Sequence, residues 1–221
     1  AIVSADFNAD GNADLAITNF GLGSLSVLLG RGPGLYDSPR MNTVGKSPTA
    51  VAAGDVSGDG KVDLIVANYD ANSLSLLLGN GDGTFQPQKN ITTRNSPTSV
   101  VISDLNGDMK PDLAVANYDS DSVTVHLSTG GGSFAAAKSY AVGKFPTAVV
   151  VTDVNGDGRA DLVVANSESA SVSVLLQSAT TAGSFGTASS VAVGNQPVAV
   201  ASGDVNGDGK PDLVTANSDS G

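Results

Sequence analysis

The chain has 221 residues, 22 acidic against 11 basic side chains, a formal net charge of −11 and no cysteine. That charge argues against binding a nucleic-acid phosphate backbone, and the missing cysteines exclude disulfides, zinc–thiolate sites and cysteine nucleophiles. No apolar run approaches the roughly 18 residues of a membrane span. Aromatic residues make up 5% of the chain and hydrophobic residues 40%, so Val, Leu, Ala and Ile must build the core. The 27 glycines predict many tight turns, as in an all-β chain of short strands.

A first strand is predicted over residues 1–5, with neither an initiator Met nor a signal peptide, as in a mature or trimmed piece. Asp6-Phe-Asn8-Ala-Asp10-Gly11-Asn12-Ala-Asp14 follows, then an apolar run over 15–19 ending in Asn, a polar turn, and a third strand over 25–29. A Gly-rich hairpin turn leads to a weaker fourth strand. The unit then recurs. The first loop aspartates stand at 6, 55, 104, 153 and 204, spaced by 49, 49, 49 and 51 residues. Each later unit opens with Pro (Pro48, Pro97, Pro146, Pro197) and an apolar strand. Second runs end in Asn at 64–68, 113–117, 162–166 and 213–217, and third strands cover 74–78, 123–127 and 172–176. The first two strands of each unit are nearly continuous Val, Ala, Leu and Ile, which predicts burial on both faces. Ser73-Leu74-Ser75-Leu76 and Ser122-Val123-Thr124-Val125 alternate, which predicts third strands with one wet face. Four strands per unit of about 49 residues predict the blade of a β-propeller. The blades are predicted at 1–46, 47–95, 96–144 and 145–195, with a partial one at 196–221. Both ends supply the same first two strands, so simple ring closure fails. The expectation is part of a larger propeller, with association between chains as the alternative.

The loops carry the chemistry. Ca²⁺ takes 6–8 oxygen ligands, and side chains at loop positions 1, 3 and 5 converge on one point if the chain turns sharply at position 6. Positions 1, 3, 5 and 9 are Asp6, Asn8, Asp10 and Asp14; Asp55, Ser57, Asp59 and Asp63; Asp104, Asn106, Asp108 and Asp112; Asp153, Asn155, Asp157 and Asp161; and Asp204, Asn206, Asp208 and Asp212. Position 7, where a main-chain carbonyl can serve, is Asn12, Lys61, Lys110, Arg159 and Lys210. Three aspartates in each of five loops make 15 of the 22 acids. Carboxylates so crowded repel one another without a counter-ion, and five Ca²⁺ ions would bring the charge from −11 to about −1. Ser57 is the poorer ligand at position 3, and Met109 stands where the other loops have Gly, so these two loops are expected to bind less tightly. The bland alternative is a set of metal-free Asx turns, which five copies in register disfavour.

These loops resemble the FG-GAP and VCBS-type repeats of integrin α-subunit propellers and many bacterial secreted proteins. The Phe-Gly pair survives at Phe185-Gly186 and is degenerate elsewhere, as at Phe85-Gln86, Phe134-Ala135 and Leu35-Tyr36; the Gly-Ala-Pro element is reduced to Ser47-Pro48 and Phe145-Pro146. The resemblance implies a propeller, seven-bladed in most members, with Ca²⁺ in the loop joining the first and second strands. It leaves the ligand open, because such propellers include adhesion modules, lectins and domains of polysaccharide-active enzymes.

No catalytic arrangement is legible, so the chain is read as a non-enzyme. Its one histidine, His126, aligns with Leu28, Leu77 and Leu175, which predicts strand packing. The polar turns after the repeated Asn, on the rim opposite the loops, are the candidate ligand surface, with Tyr69, Asp70, Tyr118 and Asp119 as its residues; Tyr69 and Tyr118 could stack on a sugar or peptide. The expectation is thus a secreted or cell-surface Ca²⁺-binding module whose partner is an extracellular protein or glycan. The runner-up is a propeller domain of a secreted carbohydrate-active enzyme, and a structural array is a weaker third.

Overall fold

The computed structural model describes residues 1–219; the last two residues of the predicted partial blade lie outside them. Blade 1 is an antiparallel sheet of β1 (Ile2–Ala5), β2 (Asp14–Asn19), β3 (Ser24–Leu28) and β4 (Arg40–Thr43), paired in that order. Blade 2 is β5 (Pro48–Gly54), β6 (Asp63–Asn68), β7 (Ser73–Leu77) and β8 (Lys89–Thr92). Blade 3 is β9 (Pro97–Ser103), β10 (Asp112–Asn117) and β11 (Ser122–His126), then a small hairpin of β12 (Ser128–Gly130) and β13 (Ser133–Phe134), and the outer strand β14 (Lys138–Ala141). Blade 4 is β15 (Pro146–Thr152), β16 (Asp161–Asn166), β17 (Ser171–Leu175) and β18 (Ser189–Ala192), and β19 (Pro197–Gly203) pairs with β20 (Asp212–Asn217) in the fifth unit. Each later first strand begins at the Pro read from the sequence, where a missing N–H costs no ladder bond.

The core lies between blades. On β6, Leu64 and Val66 pack toward blade 1 with Phe7, Leu25 and Val27, while Ile65 and Ala67 pack toward blade 3 with Leu113 and Val115. β10 and β16 divide their side chains the same way. This explains the unbroken apolar runs of the second strands: period 2 still holds, but both faces are interior. Each fully buried Leu or Ile contributes about 1.5–3 kcal/mol.

Two expectations need correcting. First, the first strands β5, β9 and β15 are only half-buried and β19 is largely exposed, because these strands stand side by side along a common axis rather than between two blades. Second, the polar positions of the third strands are not wet. Ser75 is 0% exposed and Thr124 1%, since each belongs to a hydrogen-bonded cluster anchored by the Asn that ends the second strand. Asn68 Nδ2 donates to Ser75 Oγ at 2.9 Å, Asn117 Nδ2 to Thr124 Oγ1 at 3.1 Å and Asn166 Nδ2 to Ser173 Oγ at 3.0 Å. A buried hydroxyl is tolerated where it is bonded.

The register slips by one residue just after each strand-opening proline, at Thr49 and Thr147 in blades 2 and 4. The hydroxyls there cross to the next blade: Thr49 Oγ1 donates to the Pro97 carbonyl at 2.9 Å, Thr98 to Pro146 at 2.8 Å and Thr147 to Pro197 at 2.9 Å. The same step in the fifth unit is Val198, which has no such hydroxyl.

Candidate metal centre and opposite rim

Each aspartate loop is the hairpin between the first and second strands of a blade. Its backbone curls through two left-handed residues. Position 6 has φ +83° at Gly11, +83° at Gly60, +62° at Met109, +81° at Gly158 and +80° at Gly209. Position 4 is also left-handed, at +58° for Ala9 and between +74° and +79° for the glycines at 58, 107, 156 and 207. The sequence pattern pointed to position 6; the strain at Ala9 went unnoticed, although Gly in the other four copies was its signal.

The curl wraps the position-1 carboxylate. In every loop one of its oxygens accepts the position-6 N–H: Gly11 to Asp6 at 2.8 Å, Gly60 to Asp55 at 2.7 Å, Met109 to Asp104 at 2.8 Å, Gly158 to Asp153 at 2.7 Å and Gly209 to Asp204 at 2.8 Å. These N–H bonds hold the Asp153 and Asp204 carboxyls below the usual range. The position-5 carboxylates of Asp10, Asp59, Asp108, Asp157 and Asp208 accept the N–H of position 7, from Asn12, Lys61, Lys110, Arg159 and Lys210. That bond is the main reason Asp10, Asp59 and Asp108 titrate low. Lys61, Lys110 and Arg159 also lay their cationic ends on Asp59, Asp108 and Asp157.

At position 3, the Asn8, Asn106, Asn155 and Asn206 side-chain oxygens accept the position-5 N–H. Ser57 instead donates its hydroxyl to Asp55 at 3.3 Å, so this loop lacks the amide oxygen of the other four.

Position 9 behaves differently. Asp14, Asp63, Asp112 and Asp161 are fully buried. One oxygen of each accepts an N–H from the start of its own loop: Phe7 at 2.7 Å, Ser57 at 2.9 Å, Leu105 at 2.9 Å and Val154 at 3.2 Å. The other accepts an N–H beyond the third strand: Gly30 at 2.7 Å, Gly79 at 2.8 Å, Ser128 at 2.6 Å and Gln177 at 2.8 Å. Asp212 keeps the first of these bonds, from Val205 at 3.0 Å. Burial pushes the Asp63, Asp112 and Asp161 carboxyls up, and neighbouring loop carboxylates add to the shift.

Tested against a hard dication, the donor chemistry fits: each loop offers carboxylate, amide or hydroxyl, and main-chain oxygens within one tight curl. The side chains are turned toward the loop's own N–H groups, and among the described residues no three acidic or histidine side chains are gathered as a ready-made cluster.

On the opposite rim the turns after Asn68 and Asn117 bring Tyr69 and Tyr118 together, with ring centroids 6.2 Å apart. The sequence reading missed Phe145, which stacks on Tyr118 at 4.5 Å with planes 7° apart. It occupies the pre-proline step held by Ser47 and Ser96 in the two preceding copies, and all three are left-handed. Asp70 and Asp119 are not free: Ser47 and Ser96 donate to them at 2.7 and 2.5 Å, and Lys46 lies 3.5 Å from Asp70.

Antiparallel four-stranded blades set side by side about an axis, each with an aspartate loop in its first hairpin, define a β-propeller repeat protein. The chain matches the FG-GAP-like repeat over residues 6–66, 55–115, 104–164 and 153–215, and it belongs to that family. No match is found among curated proteins. Among solved structures it is similar to an Agrocybe aegerita lectin described for specific recognition of non-reducing terminal N-acetylglucosamine, with 21% identity, a TM-score of 0.64, and coverage of 97% of this chain and 60% of that one. A putative 6-phosphogluconolactonase from Bacteroides uniformis gives 17% identity, a TM-score of 0.68, and coverage of 96% and 57%. The V. cholerae biofilm matrix protein Bap1 gives 18% identity, a TM-score of 0.53, and coverage of 97% and 34%. These likenesses concern the fold, and the chain spans about three fifths of the first two.

Proposed function

We propose that this chain is a calcium-stapled propeller module of an extracellular protein, which presents its opposite rim to a glycan or protein ligand. The observation that carries the calcium reading is the common curl of five loops, each wound round a position-1 carboxylate with further oxygen donors at positions 3, 5, 7 and 9. Asp6, Asn8, Asp10, the Asn12 carbonyl and Asp14 would hold the ion in the first loop, and the matching residues in the others. A bound dication would supply two positive charges to a loop that carries three carboxylates. The protein's own part is to keep those carboxylates within one tight loop. Backbone N–H groups favour the ionised forms of Asp153 and Asp204 at position 1 and of Asp10, Asp59 and Asp108 at position 5, and position 9 ties the loop to the end of the third strand. Ordering the loop therefore orders the blade.

The aromatic rim of Tyr69, Tyr118 and Phe145 supports ligand binding there, and the lectin among the structural relatives favours a glycan. A propeller domain of a carbohydrate-active enzyme is the second reading, resting on the resemblance alone. Calorimetric titration of metal-stripped protein tests the calcium reading. About five Ca²⁺ per chain are expected, falling to about four in Asp153→Asn. A wild-type stoichiometry near zero would leave only metal-free Asx turns.

A further inference from the structure

His126 is 2% exposed, and its Nε2 is buried without a hydrogen-bond partner. It replaces the leucine of three other copies, Leu28, Leu77 and Leu175. A buried polar atom left unpaired is destabilising, so the exchange of leucine for imidazole at a packed position calls for a compensating partner. The imidazole lines a cleft of about 500 Å³ between blades 2 and 3, within the size range of small-molecule sites. Leu76, Ile91 and Phe134 form its apolar wall, and Lys89 and Thr92 add polar groups.

The same cleft one blade earlier is an internal control. It holds about 410 Å³ and is lined by Met41, Thr43, Phe85 and Gln88, with Leu77 in the place of His126. Of its polar groups, Gln88 accepts the Ser75 hydroxyl and Asn42 donates to the Arg40 carbonyl. The blade 2–3 cleft differs in its imidazole; Arg40 opens the fourth strand of blade 1 as Lys89 opens that of blade 2, but Lys89 lines its cleft while Arg40 does not line the other. Among the described residues Lys89 pairs with no carboxylate, a condition it shares with Arg40, Arg94, Lys138 and Lys210 but not with Lys46, Lys61, Lys110 and Lys144. In a chain of net charge −11, a cation left unpaired beside an apolar cleft selects for an anionic guest.

We propose that the blade 2–blade 3 cleft binds a small monocarboxylate with a compact apolar body, its carboxylate received by Lys89 and His126 and its body lying against Leu76, Ile91 and Phe134. The imidazole is neutral near pH 7, because burial pulls it down to about 4, and so it contributes one N–H and one lone pair rather than a second cation. Phe134 suits a flat body, so benzoate is the probe.

His126 is the single histidine, so its ring ¹H–¹³C signals need no assignment. Titrating benzoate into the calcium-loaded protein at pH 7 should shift those signals saturably. Benzamide, the neutral analogue, should bind at least tenfold more weakly, and Lys89→Gln should weaken benzoate by a similar factor. His126→Leu, which restores the residue of the other copies and so should fold, should abolish binding in calorimetry. Ring signals unmoved by millimolar benzoate, as when a water alone satisfies Nε2, would overturn the proposal. So would equal binding of benzoate and benzamide, or benzoate affinity unchanged in both variants.

Discussion

Met109 shows how one residue can be read from the repeat and then weighed in the structure. It sits at φ +62° and 92% exposed, in a turn where the other four loops have glycine. A side chain there is strained and makes no compensating contact, so Met109→Gly should raise unfolding free energy by about 1 kcal/mol in urea titration. His126 has an acid-side consequence. Its folded pKa is pulled from 6.5 to about 4, so the unfolded chain binds the proton more readily. The stabilisation is complete above pH 6.5 and drains away as pH falls toward 4, by about 3 kcal/mol in total. The pH dependence of stability in this window should flatten in His126→Leu; an unchanged slope would show that other groups carry it. Residue identities of this kind were legible from the repeat alignment. The Phe145–Tyr118 stack was not, because it joins side chains from different blades and depends on a left-handed turn that a phenylalanine does not advertise.

Between elements, the blade interfaces should dominate. Ile65 is fully buried against blade 3, and Ile65→Ala should cost about 2–5 kcal/mol. Thr98→Val removes one inter-blade hydrogen bond and leaves the Pro146 carbonyl short of a partner, at about 1 kcal/mol. The loops should also differ among themselves. Those starting at Asp55 and Asp104 are expected to hold calcium more weakly, the first because Ser57 offers no amide oxygen and the second because Met109 strains the curl. Single Asp→Ala changes at the first loop position, followed by calcium titration, would expose the order; five equal affinities would contradict it. Strand order, strand length and the proline starts could be read from apolar runs of a fixed period. The wet face predicted for the third strands could not survive. A serine alternating with leucine looks the same in sequence whether it meets water or the Asn68 amide. The position-9 aspartates were read as ligands by motif. Their bonds to Gly30, Gly79, Ser128 and Gln177 lie 16 residues on, beyond the reach of a local pattern.

At the scale of the whole molecule, five loops carrying 15 of 22 acidic residues are spread evenly along a stack of blades whose interfaces are mainly aliphatic, with threonine hydrogen bonds and aromatic pairs between them. Calcium that binds only the folded chain stabilises it by about 2.7 kcal/mol per site at a hundredfold excess over Kd, so several sites together would add on the order of 10 kcal/mol. The most direct test is a thermal melt of one sample with excess calcium and again with chelator, with bound metal counted. The account predicts about five ions per chain and a large drop in Tm on chelation. No bound metal and an unchanged melt would contradict it and leave the loops as hydrogen-bonded turns.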